Sequence, residues 1–412
     1  MKIPELLAPA GTLDAFKTAV LYGADAIYAG LPGFSMRARA KIDVEGVKQG
    51  IEFAHLHGKK VYLAFNLFAH DRDFVNMPRV HEVIEYLKPD ALIVADAGVM
   101  VWVREHFPEM PIHISTQANI CSASSVKFWQ RAGASLCVLA REVSHPEFVS
   151  IREQCPDIKL EIFVHGAMCM AYSGRCLLSN FITGRPSNRG ACAQLCRWNY
   201  DVILRERESG IEMPITEDER GAYIMNSRDL CLMPRLADVL ESQPDSLKIE
   251  GRNRSEYYVG SVVRAYRAAI DAWAKNPSEF NPDEFMQDLN ILESRGYTTA
   301  FFDGPLPASA HNYETTRSSS DFHAAGVITN VGSDNITFEL RNEICTGDSI
   351  TFLLPMHESL TITLDEIRNA KNGELLPKMS AGQGNSLLIP WSKIPPEYKN
   401  KMVEYVLAYK HK

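Results

Sequence analysis

Short apolar runs rich in Val, Ile, Leu and Ala recur through the first 250 residues, each followed by a helix-length stretch whose apolar positions repeat every three to four residues. The runs are IPELLAPA (3–10), ADAIYAG (24–30), KKVYLAFN (59–66), ALIVAD (91–96), IHISTQ (112–117), SLCVLA (135–140), KLEIFVHG (159–166) and SLKIEG (246–251). Near-continuous apolarity suits strands buried on both faces. The intervening TLDAFKTAVLYG, DVEGVKQGIEFAHLHG and SSVKFWQRAGA predict amphipathic helices, several of them ended by Gly. Alternation of this kind is the pattern of parallel βαβ units. Eight units within residues 1–275 predict an α/β (β/α)8 TIM-like barrel rather than an open sheet, and no GxGxxG follows the first run to favour a dinucleotide crevice.

One connection is oversized. The seventh run ends near Gly166 and the eighth begins near Ser246, leaving residues 167–245 as a Cys-rich insertion after strand seven. Loops of that length in compact domains are functional or disordered, and this one is too apolar for disorder. It contains a predicted hairpin (YDVILRERESGIEMPITED) and a predicted helix from Ser227 (SRDLCLMPRLADVLES). Helices are also predicted near 254–275 and in DEFMQDLNILESRG, after which the polar HNYETTRSSSD marks a domain boundary. AAGVITNVGSDNITFELRN, TGDSITFLLP, LTITLDEI and NSLLIPW then alternate apolar and polar positions, predicting a small C-terminal antiparallel β-barrel. The expected organisation is a barrel over 1–275 with its insertion at 167–245, a helical segment and linker over 276–322, and an accessory β-domain over 323–412.

Composition narrows the function classes. Apolar content of 46% and charged content of 23% exclude a disordered chain. No segment approaches the roughly 20 apolar residues of a membrane span, and MKIPELLAPAG lacks the pattern of a signal peptide, so a cytoplasmic location is expected. The net charge of −8 argues against a uniformly basic nucleic-acid binder but leaves room for a local basic face. Nine cysteines are an odd number, and in a reducing compartment clustered ones point to metal or redox work. Cys121 and Cys137, standing apart from the cluster, read as small core residues.

Residues 165–200, HGAMCMAYSGRCLLSNFITGRPSNRGACAQLCRWNY, hold Cys169, Cys176, Cys192 and Cys196, and Cys231 lies beyond. Four thiolates serve iron–sulfur clusters and structural zinc alike. Zinc usually shows paired C-x2–4-C knuckles, and the loose, loop-borne spacing here favours a 4Fe-4S cluster. Cys169 follows strand seven by three residues and so emerges on the carboxyl face, while Gly174, Gly184 and Gly190 supply turns that let distant thiols converge. Cys169, Cys176 and Cys192 are the expected metal ligands, with one of Cys196 or Cys231 as the fourth.

EIFVHGAMCMAYSGRCLLSNFITGRPSNRGACAQLCRW, together with LLAPAG, FSMRARA, MNSRDL, SLKIEGRNRS and SRGYTTAFF, resembles the collagenase-like peptidase U-32 family over nearly the whole chain. The C-terminal β module resembles that family's accessory domain. The likeness is closest to the branch of tRNA hydroxylation proteins, which make 5-hydroxyuridine at the tRNA wobble position using prephenate. It implies a 4Fe-4S cluster on Cys169, Cys176 and Cys192, the fourth thiol matching Cys231 in some members and a position like Cys196 in others.

Despite the family's title the chain carries little peptidase machinery. HEVIE at 81–85 lacks the second histidine of HExxH, and there is no GxSxG. Basic residues instead follow the strands: Arg37, Arg39 and Lys41 after the second, Arg141 after the sixth, Arg185, Arg189 and Arg197 in the cysteine loop, Arg252 and Arg254 after the eighth. On a barrel all of these crowd one rim, which suits a phosphate-bearing or polycarboxylate partner. The expected partners are a tRNA anticodon stem-loop and a small dicarboxylate donor, prephenate as co-substrate, held by Arg141 and Arg252; an auxiliary protein is left open. Phe34, Phe68, Trp198 and Tyr200 are candidates to stack an exposed base. Polar residues at strand ends are Asn66, Asp96, Gln117, Glu142, His165, Lys248 and Glu250, of which His165 and Glu250 are the candidate acid and base. Asn66, Gln117 and Lys248 join Arg37, Arg39, Arg141, Arg189 and Arg252 as candidate substrate contacts. The competing readings are rRNA cytidine hydroxylation, oxygen-independent ubiquinone ring hydroxylation, a true peptidase, and a zinc-stabilised RNA-binding protein.

Overall fold

A computed structural model of the chain describes residues 2–31, 42–168, 176–185, 187, 192–197, 203–205, 212–214, 227–305, 310, 318–382 and 384–412. Seven parallel strands come first: β1 (Glu5–Pro9), β2 (Ala26–Gly30), β3 (Lys60–Phe65), β4 (Ala91–Val94), β5 (Ile112–Ile114), β6 (Leu136–Val138) and β7 (Lys159–Gly166). The hairpin β8 (Ile203–Arg205) and β9 (Glu212–Pro214) follows as expected, then β10 (Asp229–Cys231) and β11 (Ser246–Ile249). Because β11 pairs in parallel with both β1 and β7, eight strands close into the predicted barrel.

The helices α1 (Leu13–Leu21), α2 (Val44–Leu56), α3 (Asp71–Phe74), α4 (Met77–Leu87), α5 (Ala97–His106), α6 (Ala123–Arg131) and α7 (His145–Gln154) return the chain between strands. Their starts are written locally: the side chains of Thr12, Asp43, Asp96 and Ser122 each accept a backbone N–H from the first turn of the helix that follows. Asp96, a strand-end carboxylate with a possible chemical role, is therefore the cap of α5. Leu6, Ile27, Leu63 and Leu92 on the outer strand faces pack with Phe16, Ile51 and Val103 of the helices. Inside the barrel Leu7, Tyr28, Tyr62, Ala64 and Ile93 form a smaller apolar layer.

Two expectations change. The stretch from Ser227 does not begin a helix: Asp229–Cys231 is the strand β10, antiparallel to the end of β7, with Leu230 opposite Gly166 and Cys231 opposite His165. The helix α9 is confined to Leu236–Glu241. The end of β7 would otherwise leave its backbone groups unpaired, and three buried residues satisfy them. Cys121 is half-buried rather than a core residue, whereas Cys137 is fully buried.

The remaining chain comprises α8 (Leu178–Thr183) in the cysteine loop, α10 (Glu256–Lys275), α11 (Asp283–Asn290) and β12 (Tyr297–Thr298), which pairs with β10. Ten strands follow: β13 (Phe322–Val331), β14 (Asn335–Leu340), β15 (Ile344–Cys345), β16 (Ser349–Leu353), β17 (Ser359–Thr363), β18 (Ile367–Asn369), β19 (Leu375–Leu376), β20 (Lys378–Met379), β21 (Ser386–Pro390) and β22 (Leu407–His411). Eight of them form one antiparallel sheet in the order β17-β16-β22-β13-β14-β21-β18-β19. The expected accessory barrel is thus a half-barrel, its end strands β17 and β19 unjoined among the described residues. It is tied to the main barrel by Arg264 of α10, which is 2% exposed and donates to the Leu354 and Glu358 carbonyls. Tyr22 adds a second tie, donating to the Leu353 carbonyl at 2.6 Å and accepting the Leu407 N–H at 3.0 Å. Among the described residues no helix is long and apolar enough to cross a membrane.

Candidate active site at the barrel mouth and cysteine loop

The carboxyl ends of the strands bring most of the described candidate residues together. Lys248 of β11 faces the barrel axis, where its Nζ donates to Glu161 at 2.7 Å and stands 4.5 Å from the centroid of the Tyr28 ring. Glu161, 1% exposed, also accepts the Ser246 hydroxyl at 2.8 Å. One residue layer further up, Arg141 reaches Glu250 at 3.4 Å and lies over the Phe163 ring, its guanidinium carbon 3.8 Å from the centroid. Arg252 leans toward Tyr28, 5.7 Å from that ring's centroid. Asn66 and Gln117, each 6% exposed, meet at Ser115, whose hydroxyl accepts from the Asn66 amide and the Gln117 N–H at 3.4 Å each. The Gln117 side-chain oxygen is buried and has no hydrogen-bond partner among the described residues.

Close backbone approach builds this layer. A Cβ at Gly166, where φ is +121°, would sit 2.6 Å from the Glu250 carbonyl oxygen, and one at Gly11 only 1.9 Å from that of Arg252. The two glycines let β7 and the β1–α1 turn press against the chain that carries Glu250 and Arg252.

His165 does not join the group. The register of β7 against β11 slips between Lys248, opposite Phe163, and Ile249, opposite His165, so Val164 is an extra residue in a bulge. The bulge turns His165 to the outer face, among Tyr258, Tyr266 and Tyr297 at centroid separations of 5.9, 5.7 and 5.4 Å. It is 1% exposed, neither ring nitrogen has a partner among the described residues, and burial lowers its pKa to about 4. A neutral imidazole turned from the mouth is a poor direct acid or base for a substrate there. Glu250 does face the mouth, where Arg141 is one of its partners. Glu142 is made harder to ionise by burial.

The cationic rim is also less bare than expected. Lys248 is neutralised by Glu161, Arg141 by Glu250, and Arg254 contacts Asp229 at 3.5 Å, which is shared with Arg295 at 2.7 Å. Arg37, Arg39, Lys41, Arg189, Phe34, Trp198, Tyr200 and the side chain of Arg197 lie outside the described residues.

Of the cysteines, Cys169 lies outside the described residues. Cys176 and Cys192 sit on two arms of one loop joined by Ser179, which is 2% exposed. Its hydroxyl donates to the Arg185 carbonyl at 2.7 Å and accepts the Ala193 N–H at 2.9 Å. Ser187 donates to the Cys176 carbonyl. Sequence reading passed over both serines, and only their place between cysteines signalled them. The exposed Cys192 Sγ accepts the Gln194 N–H at 3.3 Å, with Gln194 in the left-handed region at φ 57°. Such an amide stabilises negative charge on sulfur, as a metal-bound thiolate requires. Cys231 has the same device, an N–H from Met233, two residues on; Tyr266 adds a hydroxyl 3.8 Å away. Burial nonetheless pushes the free thiol up to about 11. Cys196 is half-buried on the short turn Leu195–Arg197.

Comparison with known proteins extends beyond the barrel. The chain is 38% identical to tRNA hydroxylation protein P of Escherichia coli (strain K12), over 94% of this chain and 93% of that protein. It is 36% identical to tRNA hydroxylation protein P1 of Bacillus subtilis (strain 168), over 91% and 89%. A collagenase of Porphyromonas gingivalis (strain ATCC BAA-308 / W83) is 30% identical over 94% of each chain. The model of peptidase family U32 matches residues 11–312, spanning the barrel, the cysteine loop and the helices behind them, so the chain belongs to peptidase family U32.

Proposed function

We propose that this chain is an RNA-modifying hydroxylase that converts the wobble uridine of tRNA to 5-hydroxyuridine, with a prephenate-like dicarboxylate as co-substrate. The observation that carries the reading is the layer of Arg141, Phe163, Lys248, Glu250 and Arg252 at the barrel mouth, in a chain similar along nearly its whole length to tRNA hydroxylation proteins. Arg141 and Arg252 offer guanidinium forks for carboxylates, and Tyr28 and Phe163 offer flat apolar faces. A collagenase is also among the relatives, but the chain has neither HExxH nor GxSxG, and the mouth is built around paired ions.

As part of the same reading we assign a 4Fe-4S cluster to Cys169, Cys176, Cys192 and one of Cys196 or Cys231, although among the described residues no three His, Cys, Asp or Glu side chains stand close enough to hold a metal ion, so the thiols would have to draw together around it. Cys192 and Cys231 each take a backbone amide at sulfur from two residues on, a contact that favours a charged thiolate. When bound, such a cluster supplies one-electron transfer or a Lewis-acidic iron.

The test of the activity is mass spectrometry of tRNA nucleosides from a strain lacking the gene and from the same strain complemented. Loss and return of 5-hydroxyuridine and its derivatives is expected; unchanged levels in the deletion strain reject the reading. The cluster is tested separately by anaerobic purification. Brown colour and bound iron should fall in C176S and C192S but not in C345S, whose cysteine lies in a two-stranded sheet of the accessory domain. A colourless, zinc-loaded protein would discard the cluster while leaving the RNA assay to stand on its own.

A further inference from the structure

The amino-terminal end of the barrel, which barrel enzymes do not use for chemistry, holds a cavity of about 710 Å3. Its wall is made by residues that begin the strands, including Glu5, Lys60, Tyr62, His113, Lys159 and Asp245. Most cations around it are spoken for: Lys2 pairs with Asp245 at 2.6 Å, Lys59 with Asp25 at 3.6 Å, and Arg267 with Asp25 and Asp271 at 3.0 and 2.5 Å. Lys60 of β3 and Lys159 of β7 are different. Both are exposed and both line the cavity, and among the described residues neither forms an ion pair within 4 Å, although the Lys60 charge is felt by Glu5.

Beneath them lies His113 of β5, 6% exposed, its Nδ1 buried without a hydrogen-bond partner and its ring against Tyr62 at 4.6 Å. An unpaired polar atom buried this deeply is costly unless something completes it. Tyr62 meanwhile donates to Glu5 at 2.8 and 3.0 Å, which occupies the nearest carboxylate, and burial already makes that carboxylate harder to ionise. Two exposed ammonium groups without a close ion pair, over a buried imidazole, are a donor set for an oxyanion.

We propose that this cavity binds a small organic oxyanion, carrying a carboxylate or a phosphate, held between Lys60 and Lys159 with His113 at its floor. The site lies at the opposite end of the barrel from the mouth, and does not depend on the reaction assigned there. Its cavity is roomy enough for a metabolite of several carbons, since ligand pockets run from about 300 to 1,000 Å3.

The experiment is isothermal titration of the full chain with inorganic phosphate and, separately, with succinate, using the unaltered protein, K60Q/K159Q and K378Q, a control in the accessory domain. At least one probe should bind the unaltered protein. Its affinity should fall about tenfold or more in K60Q/K159Q, which removes two charge-assisted contacts, and stay within about twofold in K378Q. The probe that binds tells phosphate from carboxylate. Both lysines are exposed, so thermal unfolding of K60Q/K159Q should match the unaltered protein and exclude misfolding as the cause. Binding by neither probe, equal binding by K60Q/K159Q, or loss of binding in K378Q to the same degree would overturn the proposal.

Discussion

Arg141 and Glu250 meet at the barrel mouth, Nη2 to Oε2 at 3.4 Å, from two loops 109 residues apart in the chain. The pair is 7% and 12% exposed, and the guanidinium plane also rests on Phe163. Flat stacking and a forked donor are properties of arginine that lysine lacks. R141K therefore keeps the charge and removes both. Formation of 5-hydroxyuridine should fall by about tenfold to a hundredfold, as expected when a positioning contact is lost. The urea midpoint should stay close to that of the unaltered protein. Full activity in R141K would show that only charge matters at this position.

Lys248 and Glu161 are more deeply placed, at 6% and 1% exposure and 2.7 Å apart. Breaking one side of such a pair strands the other charge away from water. K248M should cost about 3–5 kcal/mol in urea unfolding, and E161Q/K248M should recover at least half of that loss. If the double variant is no more stable than K248M, the cost comes from packing around the lysine stem and not from the stranded carboxylate.

Much of the architecture was legible because period and composition speak directly for buried parallel strands. All eight apolar runs contain the barrel strands, and the long connection after the seventh is where the chain departs from a plain barrel. What escaped depends on contacts between distant parts. Asp229–Cys231 reads as the start of an apolar helix, yet it is held as a strand by the end of β7, more than sixty residues earlier. His165 stands at the end of a strand like Lys248, but one extra residue, Val164, turns it to the other face, and alternation along a single strand cannot reveal a bulge that exists only against its partner. Asp96 looked chemical for its position and proved to be a helix cap, a role that its place directly before α5 does predict. The partnership of Arg141 with Glu250, 109 residues away, also belongs to the closed barrel.

The accessory half-barrel is fastened by single polar groups whose loss is measurable. The Tyr22 hydroxyl bridges the Leu353 carbonyl of β16 and the Leu407 N–H of β22, both buried. Y22F removes one oxygen and leaves a donor and an acceptor unpaired, which should cost about 1–3 kcal/mol. Hydrogen exchange should show the Leu407 amide losing protection before the barrel strands do. Equal protection in both proteins would mean that water or a rearranged neighbour replaces the hydroxyl.

His113 should give the fold a measurable acid sensitivity. Burial, aided by Lys248, Lys159 and Lys60, lowers its pKa from 6.5 to about 3. Since the folded imidazole holds its proton less tightly than the unfolded one, the unfolded chain takes up the extra proton as pH falls below about 6.5. Stability contributed by this group is therefore complete above that pH and is lost progressively on acidification toward about 3, at about 1.4 kcal/mol per pH unit. Between pH 7 and pH 5 the expected loss is about 2 kcal/mol. H113N does not titrate, so its loss over the same interval should be smaller by about that amount. Glu5, whose carboxyl burial raises, acts in the opposite sense in both proteins and cancels in the comparison. Parallel pH profiles for H113N and the unaltered chain, measured by urea unfolding, would show that the folded imidazole takes up its proton as readily as one in water.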